Sequence, residues 1–569
     1  MKIHLLCSSF NGLTQRVWTQ LRHAGYDVSW SVWAGDEALR NTIAATDPDL
    51  ILCPFLRERV PDDVWSSRRT VILHPGPVGD RGPSSLDWAI SDGVAEWGVT
   101  ALSAVAEMDA GPVWATRSFS MPPEAPRKSA LYAGKVADAA AELALEVAEK
   151  AGRPEFVPEL LDAARAPGRL RPTMSQNDRE FRWSDPTARI LRHIRAADGA
   201  PGVRAELAGL PLSVFDAHDG TGQVDGACPP GSVILRRHGA VLVRTGDGAV
   251  WVGHARPLPG SDGPRIKLPA AMVLGDRIAD VPAALDPLTG DDQGRREISY
   301  RRRGDVGVLS FDFYNGAAST GQCHRLAAAL RTAKAQDTRV LVLQGGQVFC
   351  NGIHLNVIEA HPNPPAEAWR NINAIDDVCR EIITCTHQLV VAAVGGNAGA
   401  GGVMLALGAD QVLLRTGVVL NPHYRTMGLF GSEYWTYVLP RRVGGVRASR
   451  LTGECLPISA VEAVEIGLAD AALPGDREAF DTAAVDHAAA LAGNAQLQNW
   501  LMAKARIRDQ DEQHRPLETY RVRELAEMSR DIFDDRGGFA AARHAFVTKQ
   551  RPIPAPRRSV DDRLTTRVG

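Results

Sequence analysis

The sequence predicts an α/β protein in three parts: a doubly wound N-terminal sheet, a small OB-like β barrel, and a second α/β domain with a helical C-terminal tail. Three observations predict it. Apolar runs alternate with helical patterns at the N-terminus, as in a mostly parallel sheet. Short alternating segments between Gly/Asp turns follow, as in a small barrel, and strand–helix alternation then resumes. The 569 residues allow several domains, because a domain usually takes roughly 100 to 200 residues.

The first domain is predicted over residues 1–165. Its predicted strands are Lys2–Cys7, Tyr26–Val32, Leu50–Phe55, Thr70–His74 and Trp97–Val105. Its predicted helices are Leu13–His23, Asp36–Ala45 and a closing helix, Lys128–Ala151. In a doubly wound sheet the ligand crevice lies at the carboxyl ends of the strands. No GxGxxG motif follows the first strand, so a dinucleotide is not predicted.

Shifts in composition predict the other boundaries. Residues 166–275 form the predicted barrel, with strands at Leu210–Phe215, Ser232–Leu235, Ala240–Thr245 and Ala249–Val252. The polar, Pro/Gly-rich stretch 276–296 is the predicted linker. The second α/β domain is predicted over 297–550, with strands at Asp305–Phe311, Val340–Gln344, Leu389–Val394 and Val412–Leu414 and helices that include Gly321–Ala335 and Pro365–Thr384. The Pro/Arg-rich tail, 551–569, is predicted to be flexible.

Charge and composition exclude several classes of function. The chain has 64 Lys and Arg against 67 Asp and Glu, a net charge of −3, which predicts neither a nucleic acid nor a membrane as partner. It lacks an apolar run of the roughly 18 to 20 residues that span a bilayer, and its first residues do not resemble a signal peptide. The eight cysteines form no CxxC pair, so neither disulfides nor a metal site are expected. We expect a soluble, cytoplasmic protein with small ligands.

The first candidate catalytic pair is His74 and Asp109. His74 ends a predicted strand in VILHPGPVGDRGPSSLDWAI, and Asp109 lies in a turn in EWGVTALSAVAEMDAGPVW. A carboxylate that orients an imidazole suits acyl transfer. These motifs resemble the 10-formyltetrahydrofolate-dependent formyltransferases over roughly 1–270. The resemblance implies 10-formyltetrahydrofolate as formyl donor, bound near 54–60 and 80–85.

One position departs from that family's pattern. The family has an oxyanion-binding asparagine two residues before the histidine, and Ile72 stands there in this sequence. Loss of an oxyanion donor typically costs a few kcal/mol of transition-state stabilisation. We therefore expect either an inactive site or an acceptor that makes the chemistry easier. A thiol is such an acceptor, because it reaches its nucleophilic anion more readily than an alcohol or an ordinary ammonium group.

The second constellation lies in two glycine-rich turns. VLVLQGGQVFCNGIHL and VVAAVGGNAGAGGVMLALGAD each contain a strand that ends in such a turn. They resemble the crotonase (enoyl-CoA hydratase/isomerase) family over about 297–550. The resemblance implies a coenzyme A thioester whose carbonyl is held by the backbone amides of Ile353 and Gly401. A buried helix-entry turn is the structural alternative for the second segment.

The glutamates of the hydratases are replaced in this sequence. One position is Met404, and the other aligns with Tyr424 in LNPHYRTMGLFGSEYW, which also contains Glu433. Without those carboxylates the site is not expected to activate water for hydration. We expect instead that Glu433 acts as a base and Tyr424 as an acid. Taken singly, a core tyrosine and a surface glutamate are the alternatives.

The two altered sites together suggest one reaction sequence. Formyl passes from the folate to coenzyme A, and formyl-CoA then decomposes to carbon monoxide and coenzyme A. The fusion resembles the HypX/HoxX family of hydrogenase maturation factors, which implies CO synthesis for the iron of [NiFe]-hydrogenase and, as partners, maturation proteins that carry the iron centre. A formyltransferase that acts on an amine or sugar nucleotide and a non-catalytic maturation scaffold are the alternatives.

Polar residues are available to bind coenzyme A between the two halves. Arginine and amide groups suit phosphates and carbonyls. The candidates are Arg16, Ser175, Gln176, Asn177, Asn315 and Arg543. The segment RHAFVTK, which contains Arg543, resembles the C-terminal helix of crotonases that contributes to the coenzyme A site. A solvated surface position is the alternative for each residue.

Overall fold

The computed structural model describes residues 1–160, 166–223, 228–260, 265–290 and 294–550. The α/β fold class predicted from the sequence is confirmed. The tail 551–569, predicted to be flexible, lies outside the described residues. In the described part of the chain no helix is both long and apolar enough to cross a membrane.

The N-terminal unit is a six-stranded sheet in the order β2-β1-β3-β4-β5-β6. Its elements are β1 Lys2–Cys7, α1 Gly12–His23, β2 Asp27–Val32, α2 Asp36–Thr46, β3 Leu50–Phe55, α3 Asp62–Ser67, β4 Thr70–His74, α4 Ser85–Asp92, β5 Glu96–Ser103, β6 Val113–Ser120, α5 Lys128–Leu131 and α6 Ala137–Ala151. The first four strands are parallel, whereas β5 and β6 run antiparallel to their neighbours. The turn Tyr132–Val136 is a π-helix that joins α5 to α6. Apolar faces of α1 and α6 pack on this sheet.

The middle unit is an antiparallel sheet in the order β7-β8-β11-β10-β9, with β12 paired to β11. Its elements are α7 Thr187–Ala196, β7 Val203–Leu207, β8 Leu210–Asp219, β9 Val233–Arg237, β10 Ala240–Arg244, β11 Ala249–Pro257, β12 Leu268–Pro269 and α8 Ala270–Leu274. The sequence did not predict α7, β7 or β12. In the stretch 276–296, Ala284 donates a hydrogen bond to Arg236 of β9, so this segment lies along the sheet. The domain boundaries themselves remain predictions.

The C-terminal unit contains a six-stranded sheet in the order β13-β14-β15-β16-β18-β21 and a small sheet β17-β19-β20. Its strands are β13 Ile298–Arg303, β14 Val306–Phe311, β15 Val340–Gly345, β16 Leu389–Val394, β17 Ala398–Gly399, β18 Gln411–Arg415, β19 Val419–Asn421, β20 Ile458–Ser459 and β21 Ala471–Leu473. Its helices are α9 Thr320–Lys334, α10 Leu355–Ala360, α11 Pro364–Ile383, α12 Gly401–Leu407, α13 Trp435–Val443, α14 Gly445–Glu454, α15 Ala460–Glu465, α16 Arg477–Ala492, α17 Leu497–His514, α18 Leu517–Phe533 and α19 Phe539–Thr548. The neighbours β15 and β16 are parallel. The glycine-rich turns that follow them therefore meet at one edge of the sheet.

Candidate active sites

The first site is built around His74 at the carboxyl end of β4. The imidazole is buried, and its Nδ1 lies 3.4 Å from Oδ2 of Asp109. Asp109 sits in the β5–β6 turn with φ at +52°, and its Oδ2 accepts a hydrogen bond from the Gly82 amide at 3.2 Å. The pair predicted from the sequence is thus brought together. Its role in catalysis remains a prediction.

A second carboxylate, Asp80, contacts the other ring nitrogen. His74 Nε2 lies 2.9 Å from Oδ2 of Asp80, and both side chains are buried. Burial lowers the pKa of His74, but the hydrogen bond to Asp80 and the charges of Asp109 and Asp80 outweigh it, so the pKa lies above its ordinary value. The two carboxylates therefore stabilise the protonated form of the ring relative to an ordinary histidine. The protonated ring can hold negative charge that develops on a carbonyl oxygen.

From the sequence, Asp80 was predicted only as part of a folate-binding segment, 80–85. A local signal was present: Asp80 follows His74 by six residues across the tight Pro75–Gly79 turn. Gly76 is required there, because a β-carbon at this position would collide with Asp80 and lie 2.6 Å from His74 Nε2. Only the folded structure shows that Gly76 lies against the side chains of His74 and Asp80.

Ile72 lies two residues before His74 on β4 and so projects from the same face of the strand. Its half-buried side chain packs against an apolar cluster that includes Leu6, Cys53 and Val64. This position offers no hydrogen-bond donor to a substrate oxygen. His74 is therefore the polar group on this face at the strand end.

The second site begins with the two glycine-rich turns. A β-carbon on Gly352, which has φ at +77°, would lie 3.4 Å from the Gly401 amide nitrogen. Among the described residues, the amides of Ile353 and Gly401 donate no hydrogen bond. Gly401 begins α12, where amide groups lack partners within the helix. Two adjacent free donors fit a thioester carbonyl oxygen.

Tyr424 and Glu433 converge beside this pair of amides. The Tyr424 hydroxyl donates to Oε2 of Glu433 at 2.9 Å, and the Ser432 hydroxyl donates to the same oxygen at 3.0 Å. The other oxygen, Oε1, abuts Gly401, where a β-carbon would collide with it. Oε2 is therefore anchored, and Oε1 lies against Gly401.

Burial sets the proton affinities at this site. It raises the pKa of Glu433, opposed by hydrogen bonds from Tyr424 and Ser432, and it raises the pKa of Tyr424 well above its ordinary value, reinforced by the Glu433 charge. Met404 of α12 is fully buried and belongs to the same large apolar cluster as Tyr424. The site thus offers a carboxyl group with increased proton affinity in apolar surroundings.

A further acid, Asp376 of α11, lies behind Glu433 and was not predicted from the sequence. The Glu433 backbone amide donates to Oδ1 of Asp376 at 2.8 Å. Glu433 and Tyr434 have φ values of +62° and +57°, a region in which non-glycine residues need support from their surroundings. Burial and the Glu433 charge raise the pKa of Asp376 to about 8. This contact fixes the backbone that carries the candidate base.

Comparison with known proteins places this architecture in a family. The chain matches the enoyl-CoA hydratase/isomerase family over residues 314–552 and the formyl transferase C-terminal domain over 173–261. It is 43% identical to hydrogenase maturation factor HoxX of Bradyrhizobium diazoefficiens over 552 residues, which cover 96% of this chain and 95% of that protein. The chain belongs to the HypX/HoxX family of hydrogenase maturation factors. A role in hydrogenase maturation follows, and the resemblance predicted from the sequence is confirmed.

Two further relatives of this HypX/HoxX chain are informative. The crystal structure of HypX from Aquifex aeolicus in complex with tetrahydrofolic acid matches with a TM-score of 0.93 and 38% identity, over 98% of this chain and 97% of that one. The methionyl-tRNA formyltransferase of Roseiflexus castenholzii is 34% identical over 198 residues, 34% of this chain and 61% of that protein. The formyltransferase and hydratase-like domains support enzymatic activity in this family member.

A cavity of about 250 Å³ lies between the N-terminal and C-terminal units of this HypX/HoxX chain. Arg16, a predicted coenzyme A ligand, lines it together with Tyr132 and Gln347. Arg16 forms an ion pair with Asp138 of α6, which also pairs with Arg415 at 3.2 Å. The cavity thus adjoins both units, while the Arg16 charge already has a partner.

The other predicted coenzyme A residues lie elsewhere. Ser175 and Asn177 are exposed, and Gln176 Nε2 donates to the Gly202 carbonyl at 3.1 Å. Asn315 is exposed, with φ at +58°. Arg543 is buried and paired with Glu359 at 2.7 Å. The structure therefore does not gather all six candidates into one pocket, and their role remains a prediction.

Among the described residues of this HypX/HoxX chain, no group of three or more His, Cys, Asp or Glu side chains is placed to hold a metal ion.

Proposed function

We propose that this chain produces carbon monoxide for the [NiFe]-hydrogenase iron in two steps. At the His74 site, formyl moves from 10-formyltetrahydrofolate to the thiol of coenzyme A. At the Glu433 site, formyl-CoA decomposes to CO and coenzyme A. Coenzyme A is thus a substrate of the first step and a product of the second. The tetrahydrofolate bound to the Aquifex relative and the formyltransferase match support the donor.

In the first step the thiol sulfur attacks the formyl carbon, and the bond from that carbon to the folate nitrogen breaks. The thiol proton leaves and the folate nitrogen gains a proton, so protons balance. The His74 ring, flanked by Asp80 and Asp109, is suited to hold the oxyanion in between. A thiol reaches its nucleophilic anion more readily than an ordinary ammonium group. A thiol acceptor is therefore compatible with Ile72, which offers no hydrogen bond to the oxyanion.

In the second step Oε1 of Glu433 removes the formyl proton, the bond from carbon to sulfur breaks, and the sulfur is protonated. Tyr424 can give its proton to the sulfur and regain one from Glu433 through their 2.9 Å hydrogen bond. Ile353 and Gly401 would hold the formyl oxygen until CO leaves. An apolar pocket limits hydrolysis to formate.

One observation carries the proposal: the Glu433 carboxyl group lies against Gly401 and is hydrogen-bonded to Tyr424, and Met404 and Tyr424 stand where the hydratases have their water-activating glutamates. It is tested by supplying the purified chain with 10-formyltetrahydrofolate and coenzyme A and measuring CO by haem binding. We expect CO that depends on both substrates. A formylated amine without CO would instead favour the amine formyltransferase. No folate turnover by the wild type, together with hydrogenase maturation unaffected by His74→Ala, would favour the non-catalytic scaffold.

A further inference from the structure

Helix α11 carries a buried asparagine next to the first glycine-rich turn. Asn371 is 1% exposed. Its Oδ1 accepts a hydrogen bond from the His354 amide at 3.0 Å, and its Nδ2 donates one to the Ala318 carbonyl at 2.9 Å. Loss of either bond would leave a buried backbone group unpaired, which is costly. Asn371 therefore ties these two backbone segments together.

The two segments flank Ile353, whose amide is a proposed oxyanion donor. Ala318 and Ile353 form a parallel bridge, in which the Ala318 amide donates to the Gly352 carbonyl at 2.9 Å. The Ile353 amide shares a planar trans peptide with that carbonyl and so points away from it. The bridge thus sets the direction of the Ile353 amide. Asn371 holds the bridge from the other side, where His354 follows.

The same helix holds the candidate base. Asp376 is fully buried, and its Oδ1 accepts a hydrogen bond from the Glu433 amide at 2.8 Å. Asn371 and Asp376 are five residues apart, which separates them by roughly 7.5 Å along the helix axis. One helix therefore contacts the backbone beside the oxyanion donor and the backbone of the base.

The turn, Gly401 and the base are packed with little room between them. A β-carbon on Gly401 would collide with Oε1 of Glu433, and one on Gly352 would lie 3.4 Å from the Gly401 amide nitrogen. A shift of the turn or of the Glu433 backbone would therefore change the distance between the carboxyl group and the amides. A misplacement of about 1 Å can cost a reaction about a hundredfold in rate.

Helix α11 is itself held at several points. Arg521 of α18 pairs with Asp377 at 2.7 Å and donates to the Asn373 carbonyl at 3.1 Å. On the buried side, Ile372 and Ile375 belong to the large apolar cluster of the C-terminal unit. A packed helix with all its backbone bonds made is a rigid element. It can therefore hold two loops at a fixed distance.

We propose that Asn371 and Asp376 are positioning residues for the decomposition of formyl-CoA. Asn371 holds the Ile353 amide, Asp376 holds Glu433, and α11 sets the distance between the oxyanion donor and the base. Both side chains act through these two groups and not on the substrate. This inference rests on the proposed function for the reaction at this site.

The test is steady-state kinetics of the full chain with supplied formyl-CoA, with CO measured by haem binding. We expect Asn371→Ala and Asp376→Ala each to lower kcat about a hundredfold. The KM should change little, because an effect on geometry at the reacting atoms appears in kcat. Asp376→Asn should keep most of the rate, because its amide oxygen still accepts the hydrogen bond from Glu433.

The double variant gives a second readout. Both anchors fix one distance, so the second loss should add little once the first has displaced a loop. Asn371→Ala combined with Asp376→Ala should therefore lose about a hundredfold, and not the roughly ten-thousandfold that independent effects would give.

A matched variant controls for lost stability. Gln388 is a fully buried amide that donates to the Thr338 carbonyl at 2.9 Å. It directly precedes β16, at the edge of the sheet opposite the glycine-rich turns. Gln388→Ala should lower the melting temperature about as Asn371→Ala does, but it should leave kcat unchanged.

Hydrogen exchange of the free protein tests the positioning without the reaction. The His354 amide should lose protection in Asn371→Ala and the Glu433 amide in Asp376→Ala, while Asp376→Asn keeps it. Wild-type kcat in both alanine variants, an equal loss in Gln388→Ala, or a double variant that loses the full product would overturn the positioning role. A wild type that shows this exchange pattern but releases no CO would overturn the proposed function alone.

Discussion

The two candidate sites each bury one proton-transferring group, but they surround it with different partners. His74 has a carboxylate on each side, Asp80 at 2.9 Å and Asp109 at 3.4 Å. Glu433 accepts hydrogen bonds on one oxygen from two neutral hydroxyl groups, those of Tyr424 and Ser432. Its backbone amide donates to a second acid, Asp376. The first environment favours a positive charge, and the second disfavours a negative one.

Burial acts on both groups, and the neighbours decide the result. Burial lowers the pKa of His74, yet its carboxylates reverse the direction. Burial raises the pKa of Glu433, and the hydroxyl donors only reduce the rise. One site therefore stabilises the protonated form of its imidazole, and the other holds a base with increased proton affinity.

The largest expected effect comes from removing the imidazole. We predict that His74→Ala abolishes folate consumption, a loss of at least about a hundredfold, because general acid–base or electrostatic groups contribute that much. Decomposition of supplied formyl-CoA should continue. Tetrahydrofolate release is the measurement, and His23→Ala, an exposed histidine, is the control. Folate turnover at the wild-type rate would remove His74 from the mechanism.

Loss of the base should be nearly as severe, but at the other site. Glu433→Gln and Tyr424→Phe are expected to lower CO release by about a hundredfold or more while formyl transfer persists. CO and formyl-CoA are measured in parallel, with Glu465→Gln, an exposed glutamate, as control. If both variants release CO at the wild-type rate, the second site is misassigned.

Removing the Asp80 charge tests whether the carboxylates beside His74 set its proton affinity. Asp80→Asn removes the hydrogen bond and charge that raise the pKa of His74, so this pKa should fall. If formyl transfer needs the protonated ring, its rate falls about tenfold for each pH unit above the pKa of His74. In the variant this fall should begin at a lower pH than in the wild type. The pH–rate profile is the measurement, and Asp63→Asn, on the exposed helix α3, should leave it unchanged. An unmoved profile would mean that the titration of His74 does not control the rate of formyl transfer.

The smallest effect concerns stability. The pKa of Asp376 is raised to about 8 in the folded protein. Between about pH 4 and 8 the folded state therefore binds more protons at this group than the unfolded state does. Stability should therefore fall as pH rises through this window, by about 1.4 kcal/mol per unit from this group. Asp376→Asn should flatten the dependence of the melting temperature on pH. Asp377→Asn, its half-exposed neighbour, serves as control, and equal slopes would contradict the prediction.

Much of the fold was predictable because its signals are local. Strands Lys2–Cys7, Leu50–Phe55 and Thr70–His74 have the predicted bounds, since buried strands appear as apolar runs between turns. Strand β7 was missed although apolar and charged residues alternate in Val203–Leu207, because five residues make only a short signal. Its pairing with β8 overrides that weak local pattern.

The sequence by itself determined the kinds of chemistry: a strand-end histidine, an aspartate turn, two glycine-rich turns, and a tyrosine and glutamate in place of hydratase acids. Only the tertiary structure decided which groups touch. It set Asp376 against Glu433, 57 residues apart, and Asp109 beside His74. The physical reason is that helices and strands follow from neighbouring residues. The proton affinity of a buried group depends instead on burial and on charges that distant segments bring to it.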